Sequence, residues 1–399
     1  MTLNEHPLIP KAVLDKVRQP IAEATGMPNA AYDDPAYFAF ERDNVLAKTW
    51  SGLLFASELP QPGYAKPIDF MGLPLLAVRD KQDEIVIFHN VCSHRGMILL
   101  DEEKPIGNLI RCRYHSWSYE LDGKLKKTPH VGGIDQHTTE GFTCEGNGLK
   151  VVRSAKFMGI VFINLSDDAI SFDEFISPLK ERWEAFIGKG NFDLLKAAKT
   201  GSSTELLVKS NWKLPVENYC ESYHLPWVHP GLNSYSPLDK HYNLYVNDWG
   251  SGQGSYSYTF AETSGTQLPR FKDWPEEQIN QAEYVSLYPN VLLGLQADHA
   301  FAIILQPLQN NLTNEKLELT YIGEDAVGDT HQANRQAVLD GWIQVFTEDV
   351  FAVESMQQGR KSPGYKGGVF SPVMDGPTHH FHSWLATCYD QAMHQSTET

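Results

Sequence analysis

Two short pairs of residues constrain this chain more than any other feature. Cys92-Ser93-His94 is followed, after a gap of seventeen residues, by Cys112-Arg113-Tyr114-His115. Each pair closes a short apolar run, EIVIFHNV or NLIRC, and opens into a loop, so the fold has to bring two loops together over one centre. One thiolate and one imidazole per loop suit a two-iron cluster held asymmetrically, two sulfurs on one iron and two ring nitrogens on the other. Zinc also accepts this donor set, although zinc fingers pair cysteine with cysteine and histidine with histidine at other spacings.

The text from Trp50 to Leu165 runs in short apolar segments such as LLFA, LPLLAV, LKVV and IVFINL, separated by Gly, Pro and Asp turns. This predicts a small all-β module over residues 49–165. Within it, Leu121-Asp122-Gly123-Lys124-Leu125 predicts a hairpin, because Asp-Gly takes the positive φ angles of a two-residue turn. Beyond Ser166 come helical periodicities, a Tyr-rich middle, and the strand candidates YVSLYPNVLLGL, AFAIILQPL and KLELTYIG, which together predict a mixed α+β domain over 166–399. Residues 1–48 read as helical and too few for their own core, so they are assigned to the larger domain. A length of 399 residues exceeds the usual single core and agrees with two domains.

A formal charge of −17 opposes binding to nucleic acid and to anionic membrane surfaces. Neither a signal peptide nor a membrane-spanning run can be read. Five scattered cysteines argue against a disulfide framework and for a reducing compartment, with the cytoplasm as the default.

A second constellation lies in the larger domain. After Asn211-Trp212-Lys213 the chain reads as a helix with Pro215 in its first turn. Glu221 and His224 are three apart and share a helical face, whereas His229 lies about 140° round from His224 on an ideal helix. The two imidazoles converge only if the helix breaks, and Pro226 is the expected break. The stripe Trp342, Val345, Phe346, Asp349, Val353 and Met356 predicts one buried helical face, with Glu348 and Glu354 turned to solvent. A carboxylate inside such a stripe demands a metal, a base or a hydrogen-bond network. Two histidines and one carboxylate make the facial triad of non-haem ferrous iron, which leaves positions open for O2 and substrate. The plainer reading is a surface helix end with incidental histidines.

The first pattern resembles that of Rieske ferredoxins, which implies that Cys92 and Cys112 bind one iron of a [2Fe-2S] cluster and His94 and His115 the other. Rieske proteins of respiratory membranes carry an extra cysteine in each loop; neither loop here does, which implies the oxygenase branch. Asn211-Trp212-Lys213, Glu217-Asn218-Tyr219, Glu221-x-x-His224-x-x-x-x-His229 and the distal Glu348-Asp349-x-x-x-x-Glu354 resemble Rieske non-haem iron oxygenase α subunits across nearly the whole chain. The resemblance implies an α+β protein, with an all-β Rieske [2Fe-2S] domain inserted before a catalytic domain whose antiparallel sheet is surrounded by helices. It implies His224, His229 and Asp349 as ligands of a mononuclear non-haem Fe(II), and Glu221 as the bridge for electrons from a neighbouring subunit's Rieske histidine. A homo-oligomer, trimer or multiple of three, follows from that circuit.

Electrons are expected from a separate NAD(P)H-dependent reductase, since Gly250-x-Gly252-x-Gly254 has the wrong spacing for a dinucleotide fingerprint and reads as a hairpin loop. Most ring-hydroxylating members carry aspartate at the bridge. Glu221, together with His379-His380-Phe381-His382-x-Trp384, resembles the branch that oxidises quaternary ammonium compounds such as glycine betaine, carnitine and stachydrine. Oxidative N-demethylation or hydroxylation of a betaine-like small molecule is therefore expected. Mono- or dioxygenation of an aromatic acid stays open, as does a non-catalytic electron carrier or zinc-stabilised binding protein. A permanent cation calls for aromatic walls, for which Tyr223, Trp227, Tyr235, Tyr256 and Tyr258 are candidates. Cys144, Cys220 and Cys388 read as packing residues.

Overall fold

Alternating and fully apolar runs fold here into three sheets, two large and one small. The computed structural model describes residues 9–394; residues 1–8 and 395–399, the outer ends of the first and last expected segments, lie outside the described residues. The chain divides into two units, one of Leu53–Lys156 with Ile160–Leu165 and a larger one of the remainder, which includes the N-terminal helices.

In the smaller unit a seven-stranded sheet runs in the order Ser51–Phe55, Ile160–Asn164, Val151–Phe157, Ile85–His89, Leu73–Arg79, Tyr64–Phe70, Lys104–Pro105. A three-stranded sheet of Ile110–Arg111, Ser118–Tyr119 and Leu125–Lys127 stands beside it in sequence. The expected Asp122-Gly123 turn joins the last two of these, with Gly123 at φ 88°. A Cβ there would lie 2.5 Å from the Phe88 ring, so glycine is required twice over, by conformation and by space. Leu76, Val78, Phe88, Leu99, Leu100, Ile110, Trp117 and Tyr119 form the core, and Cys92 and Cys112 are part of it.

The larger unit is built on an eight-stranded sheet whose paired strands are antiparallel. The three strand candidates become Ala282–Leu287 with Val291–Leu295, His299–Gln309, and Leu312–Ile322. The Gly-rich stretch is not a hairpin loop: Gly250–Ser255 is a buried strand between His241–Asn247 and Ala282–Leu287. Its glycines serve close packing, since a Cβ on Gly254 would enter the Tyr242 ring at 2.2 Å and one on Gly252 would meet the Tyr284 carbonyl at 2.0 Å. Of the expected stripe, Trp342, Val345, Phe346 and Val353 are buried in the helix Gln332–Gly359, but Met356 is exposed and Gln357 takes the buried position. Gln357 is bound there because its side chain accepts from the Asn211 N–H at 2.9 Å and donates to the Tyr32 carbonyl at 3.2 Å.

The helix Lys213–Tyr219, which leads into the second constellation, is anchored by buried charges. Lys213 pairs with Glu41, which also accepts from the Trp212 indole at 2.7 Å. Glu217 pairs with Arg360 at 3.1 Å and lies 3.4 Å from His382. Burial alone would raise the pKa of Glu217, but His382 and Arg360 outweigh it and hold the carboxyl at about 2. No helix among the described residues is long and apolar enough to cross a membrane.

Candidate metal centres

The two loops of the first constellation are copies of one bend. Cys92 N–H donates to the Met97 carbonyl and Gly96 N–H to the Cys92 carbonyl, at 2.8 and 3.0 Å. Cys112 N–H donates to the Trp117 carbonyl and Ser116 N–H to the Cys112 carbonyl, at 2.8 and 3.1 Å. The residue four after each cysteine turns the chain through a left-handed conformation, Gly96 at φ 69° and Ser116 at φ 58°. The bend places each cysteine inward and each histidine outward. Both sulfurs are buried, His94 is exposed and His115 half-buried, and the two imidazoles meet edge to face at 4.8 Å between ring centroids.

Around the sulfurs are donors of the kind a thiolate-held cluster uses. Tyr119 hydroxyl lies 3.0 Å from Cys92 Sγ, and Tyr114 N–H donates to Cys112 Sγ at 3.5 Å. Burial, then the adjacent Cys92, pushes the Cys112 thiol up, while the N–H groups of Tyr114 and His115 pull the other way. His94 is held flat against Trp117, with centroids 4.5 Å apart and planes at 10°. Two buried sulfurs and two rim imidazoles converging from paired loops fit an asymmetric two-iron cluster.

At the second constellation the break falls earlier than expected. The helix ends at Tyr219, and His224 caps a new short helix, Leu225–Val228, in whose first turn Pro226 sits. Proline starts this helix instead of breaking one, because a first-turn residue has no intrahelical N–H bond to lose. His229 leaves the helical region at φ −122°, ψ 60°, and Pro230 opens the next helix, Pro230–Tyr235. These two bends bring His224, His229 and Asp349 together, one donor atom from each lying within 4.8 Å of the others. Asp349 Oδ1 is 2.9 Å from His229 Nε2 and 3.7 Å from His224 Nε2.

The opposite ring nitrogens are tied back by carboxylates. His224 Nδ1 meets Glu221 Oε1 at 2.6 Å and His229 Nδ1 meets Glu348 Oε2 at 2.9 Å. Glu348 is therefore not turned to solvent. Although it lies off the apolar stripe, the buried His229 ring reaches it, a contact between distant segments that a helical wheel does not include. Burial disfavours a charged His229, but Asp349 and Glu348 outweigh it and raise its pKa. Carboxylate-held imidazoles with both Nε2 atoms facing one point form a donor set that fits a divalent metal. Asn218, part of the Glu217-Asn218-Tyr219 motif but given no role by the sequence, donates to Asp349 Oδ1 at 2.7 Å. Behind Asp349 lies the buried Glu315, whose carboxyl is raised to about 8 by burial and then by the charge of Asp349.

A pocket partly open to solvent faces these donors, walled by Tyr219, Leu225, Leu232, Tyr284, Trp342 and Phe346. Among the described residues, no lysine or arginine lines it. His241 and Gln253 close one side, joined at 2.6 Å, and Gln253 donates to the Glu221 carbonyl at 3.2 Å. The aromatic walls expected from the sequence lie elsewhere: Trp227 is 71% exposed, Tyr223 and Tyr256 are also exposed, and Tyr258 stacks behind Trp342 without lining the cavity. Tyr284 was within reach of a sequence reading, but its burial depends on the register of the strand Ala282–Leu287, and the place of Tyr219 on where the helix Lys213–Tyr219 ends, neither of which composition gives.

Fold and site together define a two-centre iron oxygenase, with a cluster domain and a separate oxygen-activating domain. The Rieske [2Fe-2S] domain family matches residues 49–138, and the ring-hydroxylating α-subunit catalytic domain family matches residues 195–391. The chain is 27% identical over 377 residues to the carnitine monooxygenase oxygenase subunit of Escherichia coli K12, covering 92% of this chain and 94% of the relative. It is 26% identical over 385 residues to the chloroplastic choline monooxygenase of Arabidopsis thaliana, covering 92% and 83%. Its fold matches the crystal structure of a quaternary ammonium Rieske monooxygenase complexed with L-carnitine, with a TM-score of 0.75 at 23% identity over 96% of this chain and 99% of that one. The chain belongs to the Rieske non-haem iron oxygenases, as an α subunit. It is an oxidoreductase of the kind that carries a Rieske [2Fe-2S] cluster and a mononuclear iron.

Proposed function

We propose that this protein is a terminal oxygenase that hydroxylates or N-demethylates a small quaternary ammonium compound. The observation that carries the reading is the charge and surface of the cavity. Its walls are Tyr219, Tyr284, Trp342 and Phe346, and the charged groups at the metal-binding end are Asp349 with Glu221 and Glu348 behind the histidines. Three carboxylates around one divalent iron leave the site net negative, which favours a cation. Aromatic faces attract a desolvated ammonium further. An aromatic carboxylate would meet the same negative field with no lysine or arginine on the cavity wall to hold it. The relatives' activities on carnitine and choline agree with this choice.

In this reading Cys92 and Cys112 hold one cluster iron and His94 and His115 the other, while His224, His229 and Asp349 hold the mononuclear iron. The bound centres supply stored electrons and activation of O2, one oxygen atom entering the substrate and the other leaving as water. Glu221 and Glu348 fix the imidazoles with Nε2 free for the metal. The apolar walls exclude bulk water and hold an N-methyl group near the donors. A hydroxylated N-methyl group collapses to formaldehyde and the demethylated amine.

Glu221 also serves as the bridge for electrons from a neighbouring copy's Rieske histidine. This is supported by the exposed rings of Tyr223 and Trp227 beside it in sequence, and by Met97 and Tyr114, exposed at the cluster rim. Tyr223 and Trp227 pack edge to face at 5.8 Å, an exposed aromatic pair that a neighbouring copy would cover. A homo-oligomer in multiples of three, a separate NAD(P)H-dependent reductase and a cytoplasmic location complete the proposal.

The test is turnover with a surrogate reductase and NADH on a panel of quaternary amines and aromatic acids. Formaldehyde and substrate-dependent NADH oxidation should rise together with an ammonium compound. Turnover of an aromatic acid with no ammonium compound oxidised would refute the reading.

A further inference from the structure

Behind the wall of the metal-facing pocket lies a relay that substrate binding does not use. Trp342 lines that pocket, and its indole N–H donates to His299 Nε2 at 2.9 Å. His299 is 1% exposed, and its Nδ1 meets Asp298 Oδ1 at 2.7 Å. Because Nε2 accepts from the indole, the neutral ring carries its proton on Nδ1 and donates it to Asp298. A backbone carbonyl would satisfy a buried indole N–H as well. Here the partner is a base, with a carboxylate behind it that favours the imidazolium. The Tyr258 ring stacks on Trp342, with centroids 5.9 Å apart and planes at 4°. Tyr258 and Asp298 both line a second pocket, partly open to solvent. An oxidisable ring and a proton-accepting pair therefore lead from the metal-facing pocket to the same place.

We infer that Trp342 and Tyr258 form an electron relay that discharges the iron centre when O2 is activated without substrate, with His299 as the proton acceptor. The inference rests on His224, His229 and Asp349 holding the mononuclear iron, and is independent of which substrate the enzyme takes. Oxidation turns an indole N–H into a strong acid, so Trp342 gives one electron to the iron centre as its N–H proton passes to His299 Nε2. Asp298 balances the charge of the imidazolium formed. Tyr258 then gives one electron to Trp342, which takes its proton back from His299, and the Tyr258 phenol proton leaves to solvent through the second pocket. A soluble thiol returns a hydrogen atom to the Tyr258 phenoxyl, and two thiyl radicals close to a disulfide. The relay spares His224 and His229, which are otherwise the nearest oxidisable groups to the iron.

Mixing the reduced, iron-loaded full chain with O2 in the absence of substrate, followed by rapid freezing and electron paramagnetic resonance, tests this. The wild type should show a tyrosyl radical that both Tyr258→Phe and Trp342→Phe lose. His299→Gln keeps an acceptor for the indole N–H and loses the base, so the tyrosyl signal should fall while bound iron stays the same. After repeated substrate-free cycles, peptide mass spectrometry should find more oxidised His224 and His229 in Tyr258→Phe than in the wild type, and added dithiothreitol should lessen that damage in the wild type only. With substrate present, Tyr258→Phe should turn over at the wild-type rate. The inference is overturned by O2 uptake without any protein radical, by a tyrosyl signal that survives Tyr258→Phe, or by equal histidine oxidation in the two proteins. No O2 uptake without substrate would also overturn it, since the relay would have nothing to discharge, and so would loss of iron from Tyr258→Phe, which would make that ring structural. Mononuclear iron retained in Asp349→Ala would refute the ligand set instead.

Discussion

The carboxylate behind His229 offers the sharpest test of how the site is held. His229 is almost wholly buried, and its Nδ1 has Glu348 Oε2 as partner at 2.9 Å. Glu348 is itself positioned, since Gln344 donates to its other oxygen at 3.0 Å. Removing the carboxylate with Glu348→Ala leaves a buried imidazole N–H unpaired and frees the ring to rotate Nε2 away from the metal position. Loss of such a supporting partner typically weakens metal binding by about 10- to 100-fold, or about 1.4–2.7 kcal/mol. Glu348→Gln keeps an acceptor oxygen and loses only a partly solvated charge, so it should fall near the lower bound. The assay is titration of Co(II), as an absorbing substitute for iron, into protein with its cluster intact and its mononuclear metal removed. Gln344→Ala, one contact further out, should change affinity by less than about threefold, well below the loss expected at the supporting partner itself. A dissociation constant unchanged in Glu348→Ala would show that the carboxylate does not orient His229 and would refute the reasoning.

Asp349→Ala should lose the mononuclear iron and keep both cluster irons, seen as a fall in bound iron with an unaltered Rieske electron-paramagnetic signal; retained iron and activity would remove Asp349 from the ligand set. Glu221→Gln keeps an oxygen for His224 Nδ1 and should spare both centres while nearly abolishing turnover; wild-type rates would end its role as a bridge. Glu217→Gln should destabilise the protein by about 3–5 kcal/mol in chemical denaturation, since it unbalances a buried charge cluster. The folded carboxyl of Glu217 titrates at about 2 and the unfolded one near the ordinary 4.5, so its stabilisation, about 3 kcal/mol, is complete above the unfolded value. It is lost as pH falls from there towards 2, and the variant should lack that limb of the acid denaturation curve.

What the sequence revealed follows from how far each signal travels along the chain. Cys92, His94, Cys112 and His115 could be paired because one local bend, used twice, sets their spacing. Asp349 stood out because a carboxylate in an apolar helical stripe is a conflict visible within one element. Glu348 was misread for the same reason, since its partner His229 is brought to it by tertiary folding from more than a hundred residues away. Pro226 was given the opposite role because proline disrupts a helix interior and suits its first turn, and only the true helix start decides between them. The Gly250 to Gly254 stretch looked like a loop because glycine favours turns; here it makes room for Tyr242 and for the backbone at Tyr284. The aromatic walls were misassigned since exposed Trp227 and buried Trp342 are equally aromatic in sequence.

The repeated bend at the cluster has one more consequence, because it makes the two halves of the frame, each with one cysteine and one histidine, interchangeable in design. The left-handed position is occupied by glycine in one loop and by serine in the other, so the second half already tolerates the strain that the first avoids. Gly96→Ser and Ser116→Gly are then reciprocal edits, expected to shift the stability of the smaller unit in opposite directions by about 1 kcal/mol each. Depth separates the donors: backbone symmetry gives the frame two equal grips, and burial sets the two sulfurs on an inner face and the two imidazoles on an outer one.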